Sequence, residues 1–289
     1  MAVPGSTYVV GGIVVNVYEE PLVRSDVSPI VLFFLHGRLG SAVGLEPHVQ
    51  TLFQELHHLR ETNANLHPLI IVTFDQRNHG TRLADPKANE AWNKKDLESH
   101  NERHAIDMYS IQTGTARDVT FLIDFLPAYI FPREERTIAD WAVAGISFGG
   151  HSTWIALKSD KRISTGIPII GCPDYIALMS DRAQKSSVPF EPPYAPESFL
   201  QFVRKNDPVS TPYYSADESN PYFGKKVLVL SGAQDKLVPW KASQSFVDKL
   251  DVGPQGKKEV MVQEGAGHEC TEAMLKRAAG FLAENVLQA

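Results

Sequence analysis

The sequence is poor in the features that mark a special environment. Its 289 residues include two cysteines, Cys172 and Cys270, too few for a disulfide scaffold and not spaced like metal ligands. Both are expected as reduced, partly buried thiols. Dense runs of lysine and arginine are missing, and the net charge of -6 argues against nucleic acid as a partner. No apolar run approaches the ~18 residues of a membrane span. The start, "MAVPGSTYVVGG", lacks the basic residues and long apolar core of a secretory signal. The end, "NVLQA", is no lipidation or peroxisomal address. Internal repeats and low-complexity tracts are missing too. These absences leave, as the expectation, a cytoplasmic protein, monomer or homodimer, that acts on a small molecule.

What is present looks like an ordinary globular domain: 43% of residues are hydrophobic and 21% charged, enough for a substantial core. Two β-branched runs flank Gly11-Gly12 and predict an opening hairpin over 7–19. The continuous apolar runs "IVLFFL" (30–35) and "LIIVTF" (69–74) fit strands buried on both faces of a parallel sheet. Between them Val49, Leu52, Phe53, Leu56 and Leu59 recur at the spacing of one helix face. A second helical pattern covers 115–130, and strands follow from Trp141, at 163–170, 226–232 and 259–265, with a last helix from Thr271. Strands alternating with helices predict a mainly parallel sheet covered on both faces.

Two segments break this rhythm. Residues 76–109 are polar and predict neither strand nor core helix. Residues 172–225 carry eight prolines and many aromatics, with one short helix near "ESFLQFVRK". Long insertions in compact domains are often lids, so 172–225 is expected as a cap on a core formed by 1–171 and 226–289. Its aromatics need something to pack on. A ligand cleft is one candidate, with Phe199 and Tyr213 as substrate-binding residues; a surface excursion without function is the other.

The stretch "VAGISFGGHS" (143–152) places Ser147 among Gly145, Gly149 and Gly150. Small neighbours permit a tight strand-to-helix turn that lifts a hydroxyl into a cleft. A serine is a weak nucleophile without a base, so a histidine and an acid must arrive from later strands. "KVLVLSG" leads into "AQDKLVP" and leaves Asp235 just past a strand end. "EVMVQEG" leads into "AGHEC" and leaves His268 in the same position. In a parallel sheet these ends share one edge, where open α/β folds place their ligands. Asp174 in "GCPDY" is the rival for the acid.

Together, "GISFGG", "SGAQDKLVP", "GAGHE", "FFLHGRLGS" and "FDQRNHGTR" resemble the nucleophile elbow, acid loop, histidine loop and two further turns of the α/β-hydrolase superfamily. The resemblance covers nearly the whole chain. It leans toward serine esterases related to dienelactone hydrolases and prolyl-oligopeptidase-type catalytic domains. It implies an α/β-hydrolase fold with a small cap, and Ser147, Asp235 and His268 as catalytic residues in that chain order. It also implies an oxyanion hole from the backbone N–H groups of Phe148 and Arg38, and no metal or cofactor. His36, and Asp75, Arg77 and His79 in the turn after the fourth strand, are expected as structural. Arg38 stands where the family more often has an apolar or small residue. Turned inward it would favour an acidic substrate; turned outward it would be solvated. The implied activity is hydrolysis of a carboxylic ester, with an amidase, a short-peptide hydrolase or a C–C bond hydrolase as alternatives. A ligand receptor on a retired hydrolase is the non-enzyme reading.

Overall fold

The structure, a computed structural model, describes residues 5–20, 27–63 and 65–288. Strands β1 (Gly5–Val10) and β2 (Ile13–Glu19) form the expected hairpin. Gly11 and Gly12, at φ 55° and 87°, supply the two left-handed residues that a two-residue turn of this twist requires. β3 (Ile30–Leu35), β4 (Leu69–Phe74), β5 (Asp140–Ile146), β6 (Ile163–Ile169), β7 (Lys226–Gly232) and β8 (Lys257–Gln263) complete an eight-stranded sheet. Its order is β1-β2-β4-β3-β5-β6-β7-β8. β3 to β8 run parallel, and β2 is antiparallel to β4.

The apolar strands alternate between two hydrophobic layers, as a pleat of period two requires. Within β3, Val31, Phe33 and Leu35 join one layer, whereas Ile30, Leu32 and Phe34 join the other. The second layer is closed by α1 (Glu46–Thr62) and α7 (Glu272–Asn285). The first is closed by α2 (His104–Ile130), α3 (Phe148–Ser159), α4 (Tyr175–Lys185), α5 (Glu197–Asn206) and α6 (Lys241–Lys249). This is the α/β-hydrolase fold.

Several boundaries differ from expectation for local physical reasons. α2 starts at His104, inside the segment expected to be irregular, because its first turns bury His104, Ala105, Met108 and Tyr109 beneath the insertion. β8 lies two residues earlier than its apolar pattern suggested, since it is the sheet's last strand and is only partly buried. The remainder of 76–103 is knit by asparagines. Asn78 Oδ1 accepts from the N–H groups of Ala84 and Asp85, and Asn89 Nδ2 donates to the Asn78 carbonyl at 2.7 Å. Such side chains replace the missing ladder bonds of an irregular backbone.

The insertion is more regular than its composition suggested, holding both α4 and α5. Several of its aromatics fold inward onto the helical layer, while Phe202 and Tyr214 stay exposed. Phe199 sits edge-on to Tyr109 and Tyr175, and Tyr213 stacks on Phe246 with centroids 4.2 Å apart. Tyr222 is fully buried against Trp154 of α3.

Candidate active site

The sheet register explains why three distant sequence motifs meet. Leu35 at the end of β3 pairs with Gly145, and Ile146 at the end of β5 pairs with Ile169. The loops that follow β3 and β5 therefore emerge side by side. Ser147 occupies the corner between β5 and α3 at φ 54°, ψ -107°, a conformation that costs a non-glycine residue of order 1–3 kcal/mol. The glycines around it are needed for close approach. A Cβ on Gly145 would strike the Gly149 carbonyl, and one on Gly149 would strike the Leu35 carbonyl.

The side chains expected from the motifs are brought together. Ser147 Oγ lies 2.8 Å from His268 Nε2, and His268 Nδ1 lies 2.7 Å from Asp235 Oδ2. Asp235 is 5% exposed. Its other oxygen accepts from the N–H groups of Leu237 and Val238 at 2.8 and 2.9 Å. Burial works against this charge. The hydrogen bond from His268 and the two backbone donors outweigh it, holding the carboxyl below its usual range. An ionised Asp235 takes the proton on Nδ1 as donor and leaves Nε2 free to accept from the serine hydroxyl. Asp174, the rival acid, is occupied elsewhere: its carboxylate caps α4 by accepting from Ala177 N–H.

Among the described residues, the N–H groups of Phe148 and Arg38 have no protein acceptor. The loop carrying Arg38 is braced by His36. Its Nδ1 donates to the Gly37 carbonyl at 2.7 Å, and its Nε2 accepts from Gln76 N–H at 3.0 Å. The second bond requires a neutral ring, and burial pushes the imidazole down to about 4. Asp75 accepts from Ala42 N–H and from the N–H and hydroxyl of Thr81. Arg77 and Arg82 both bond Asp118. These contacts join the turn after β4 to the turn after β3.

A cavity of about 370 Å³ opens at Ser147 and His268, walled by Arg38, Leu45, His48, Ile146, Leu237 and Cys270. Phe199 and Tyr213 are not among its lining residues. They pack into the first hydrophobic layer instead, because that layer supplies apolar partners closer in the fold than the cavity does. The motifs gave no sign of Cys270, Leu237 or Arg182 beside the triad. For Arg182 a signal existed: it follows Tyr175, Leu178 and Met179 at helical spacing, so it falls on the buried stripe of α4.

A family model for the prolyl oligopeptidase family matches residues 114–285, more than half of the chain. The chain belongs to the prolyl oligopeptidase family. No curated protein matches it. Among solved structures it is similar over its full length to TT1662 from Thermus thermophilus, at 19% identity, 100% coverage of both chains and a TM-score of 0.70. Similarity to the esterase Est1E from Butyrivibrio proteoclasticus, solved with ferulic acid, is 16% in identity with a TM-score of 0.61, covering 97% of this chain and 99% of that one. An acylaminoacyl peptidase from Pyrococcus horikoshii matches at 13% identity and a TM-score of 0.58; all of this chain overlays 42% of that one. At these identities the structural likeness speaks for the shared fold. Proteins similar in fold include both esterases and peptidases, and no helix among the described residues is long and apolar enough to cross a membrane.

Proposed function

We propose that this member of the prolyl oligopeptidase family is a serine hydrolase that cleaves a carboxylic ester of a small or medium acyl group. The observation that carries this reading is the relay from Ser147 through His268 to Asp235, with links of 2.8 and 2.7 Å, at the floor of an open cavity. His268 takes the serine proton as Oγ attacks the acyl carbonyl, then gives it to the leaving alkoxide. Asp235 holds the tautomer and stabilises the imidazolium. The negative charge on the carbonyl oxygen is received by the N–H groups of Phe148 and Arg38, the former at the N-terminus of α3. Each such donor is worth about 3 kcal/mol in a transition state. Water then enters by the same relay and releases the acid. Cleavage of an amide uses the same groups, and the peptidases in the family keep that reading as the alternative; esters, amides and diketones assayed side by side separate them. A receptor without turnover is disfavoured, because a serine held in a strained corner and bonded to a histidine has no use in passive binding.

The test is covalent labelling with a neutral fluorophosphonate followed by peptide mass spectrometry. The expected result is an adduct on Ser147 and none in Ser147→Ala. A well-folded wild type without adduct would overturn the reading.

A further inference from the structure

Most arginines among the described residues are paired with a carboxylate. Arg60, Arg77, Arg82, Arg136, Arg162 and Arg277 each have a carboxylate within 4 Å. So do the exposed Arg103 and Arg204. Among the described residues, two that are largely buried have none: Arg38, at the Ser147 cavity, and Arg182, which lies behind one of its walls. Arg182 donates from Nη2 to the carbonyl of Leu237, another wall residue, at 3.3 Å.

The partners these two groups do have are neutral and few. Arg38 Nη1 donates to the Asn89 carbonyl at 2.6 Å. Arg182 Nη1 has only His104 Nε2 and Met108 Sδ, each at 3.4 Å, and its buried Nε has no partner. His104 supplies no countercharge. Burial above all, and then the two arginines, push its imidazole down to about 3, so the ring is neutral. The acids within electrostatic reach are Glu90 for Arg38 and Asp235 for Arg182. Both lie beyond ion-pair distance, and the Asp235 oxygens are already bonded to His268, Leu237 and Val238. Burying a guanidinium without a counterion is costly. Here two cations face each other's field, and burial followed by the charge of Arg38 disfavours the ionised form of Arg182.

We propose that Arg38 and Arg182 form a carboxylate-binding subsite on the wall of the Ser147 cavity, and that the preferred substrates are esters carrying a free carboxylate. This rests on the serine hydrolase reading and names its substrate class. The planar guanidinium fork matches a carboxylate in two parallel hydrogen bonds. An arriving carboxylate neutralises the facing cations and occupies their free donors. It also anchors the ester away from the reacting bond, so that binding energy orients the carbonyl toward Ser147.

The experiment compares kcat/KM within size-matched pairs, one member anionic and one neutral, on the same enzyme preparation. One pair places the carboxylate on the acyl chain: the mono-nitrophenyl ester of adipic acid against nitrophenyl hexanoate. The other places it on the leaving group: acetoxybenzoate against acetoxybenzamide. Wild type is expected to prefer the anion at least about tenfold in one pair, the scale of a charge-assisted hydrogen bond. The pair that responds tells which side of the ester the subsite holds. In Arg182→Met that preference ratio is expected to fall at least about tenfold, and Arg182→Lys is expected to keep part of it. Because the readout is a ratio, any loss of folded enzyme cancels. Absence of an anion preference in both wild-type pairs, or an unchanged ratio in Arg182→Met, would overturn the inference. Labelling of Ser147 by the neutral fluorophosphonate separates the two levels. Label without anion preference defeats the subsite alone, whereas no label and no turnover defeats the hydrolase reading with it.

Discussion

Two charged corners share the carboxyl edge of this sheet and treat their charges in opposite ways. In the first, Asp235 is bonded on both oxygens, to His268 and to two backbone N–H groups. Every member of that corner is held in one orientation. In the second, Arg38 on the cavity wall and Arg182 behind Leu237 have neutral partners, and among the described residues no carboxylate lies within 4 Å of either. The difference fits the two proposed roles, reaction and recognition. A reacting group must be positioned before the substrate arrives, so its hydrogen bonds are complete within the protein. A recognising group keeps donors free, and its cost of burial is recovered only with ligand bound. A third region, the turn after β4, has its charges answered within the protein: Asp75 by hydrogen bonds, and Arg77 and Arg82 by Asp118 of α2.

The comparison breaks most visibly at the first corner. His268→Ala is expected to lower kcat on a neutral ester by about a million-fold, and Asp235→Asn by about ten-thousand-fold, with the fold unchanged by circular dichroism. A loss below about a hundredfold in both would mean that the relay is ornamental. Next in size is the effect of emptying the aromatic insertion, which the structure places in the core and not at the cavity. Tyr213→Ala is expected to cost about 3 kcal/mol in urea denaturation. Its preference among nitrophenyl acetate, butyrate and octanoate should stay that of wild type, and a shifted preference would return Tyr213 to the substrate wall.

The smallest effect per unit change is with pH. His36, His104 and His151 are buried and neutral, with imidazoles pushed down to about 4, 3 and 4. Each unfolded histidine takes its proton near pH 6.5 while the folded one refuses it. Stability is therefore full above about 6.5 and falls as pH drops toward 4, by up to about 1.4 kcal/mol per pH unit for each. Below that, the carboxyls of Asp235 and Asp75, held low in the fold, add a loss that begins near 3.9 and continues through their folded values. Urea midpoints between pH 7 and 5 measure the histidine part, and His104→Gln should flatten the slope. An unchanged slope would mean that this ring is protonated in the folded protein.

Much of the site was legible along the chain. The runs of β3 and β4, the glycines around Ser147 and the placement of Asp235 and His268 after strands all have local signatures, because each strand buried on both faces must be apolar and each turn needs particular residues. α2 was legible only in its second half, since its first turns are polar and become buried by contact with the insertion. Phe199 and Tyr213 were misplaced for a related reason. An aromatic run states that burial is required but not against which surface. Arg38 left open whether its side chain turned inward; only the loop around Asn89 turns it to the cavity wall.

By itself the sequence determined the chain order of the strands, the mainly parallel sheet buried on both faces, and the strand ends from which a serine, an acid and a histidine would emerge. These follow from local periodicity and turn chemistry, which are properties of neighbouring residues. Only the tertiary structure decided that Ser147, His268 and Asp235 come within hydrogen-bonding distance, that the insertion packs into the helical layer, and that Arg182 reaches the wall where Arg38 stands. Those outcomes depend on sheet register and on which surface each buried face meets, and the physical reason is that such contacts join residues far apart in the chain through packing that no local pattern encodes.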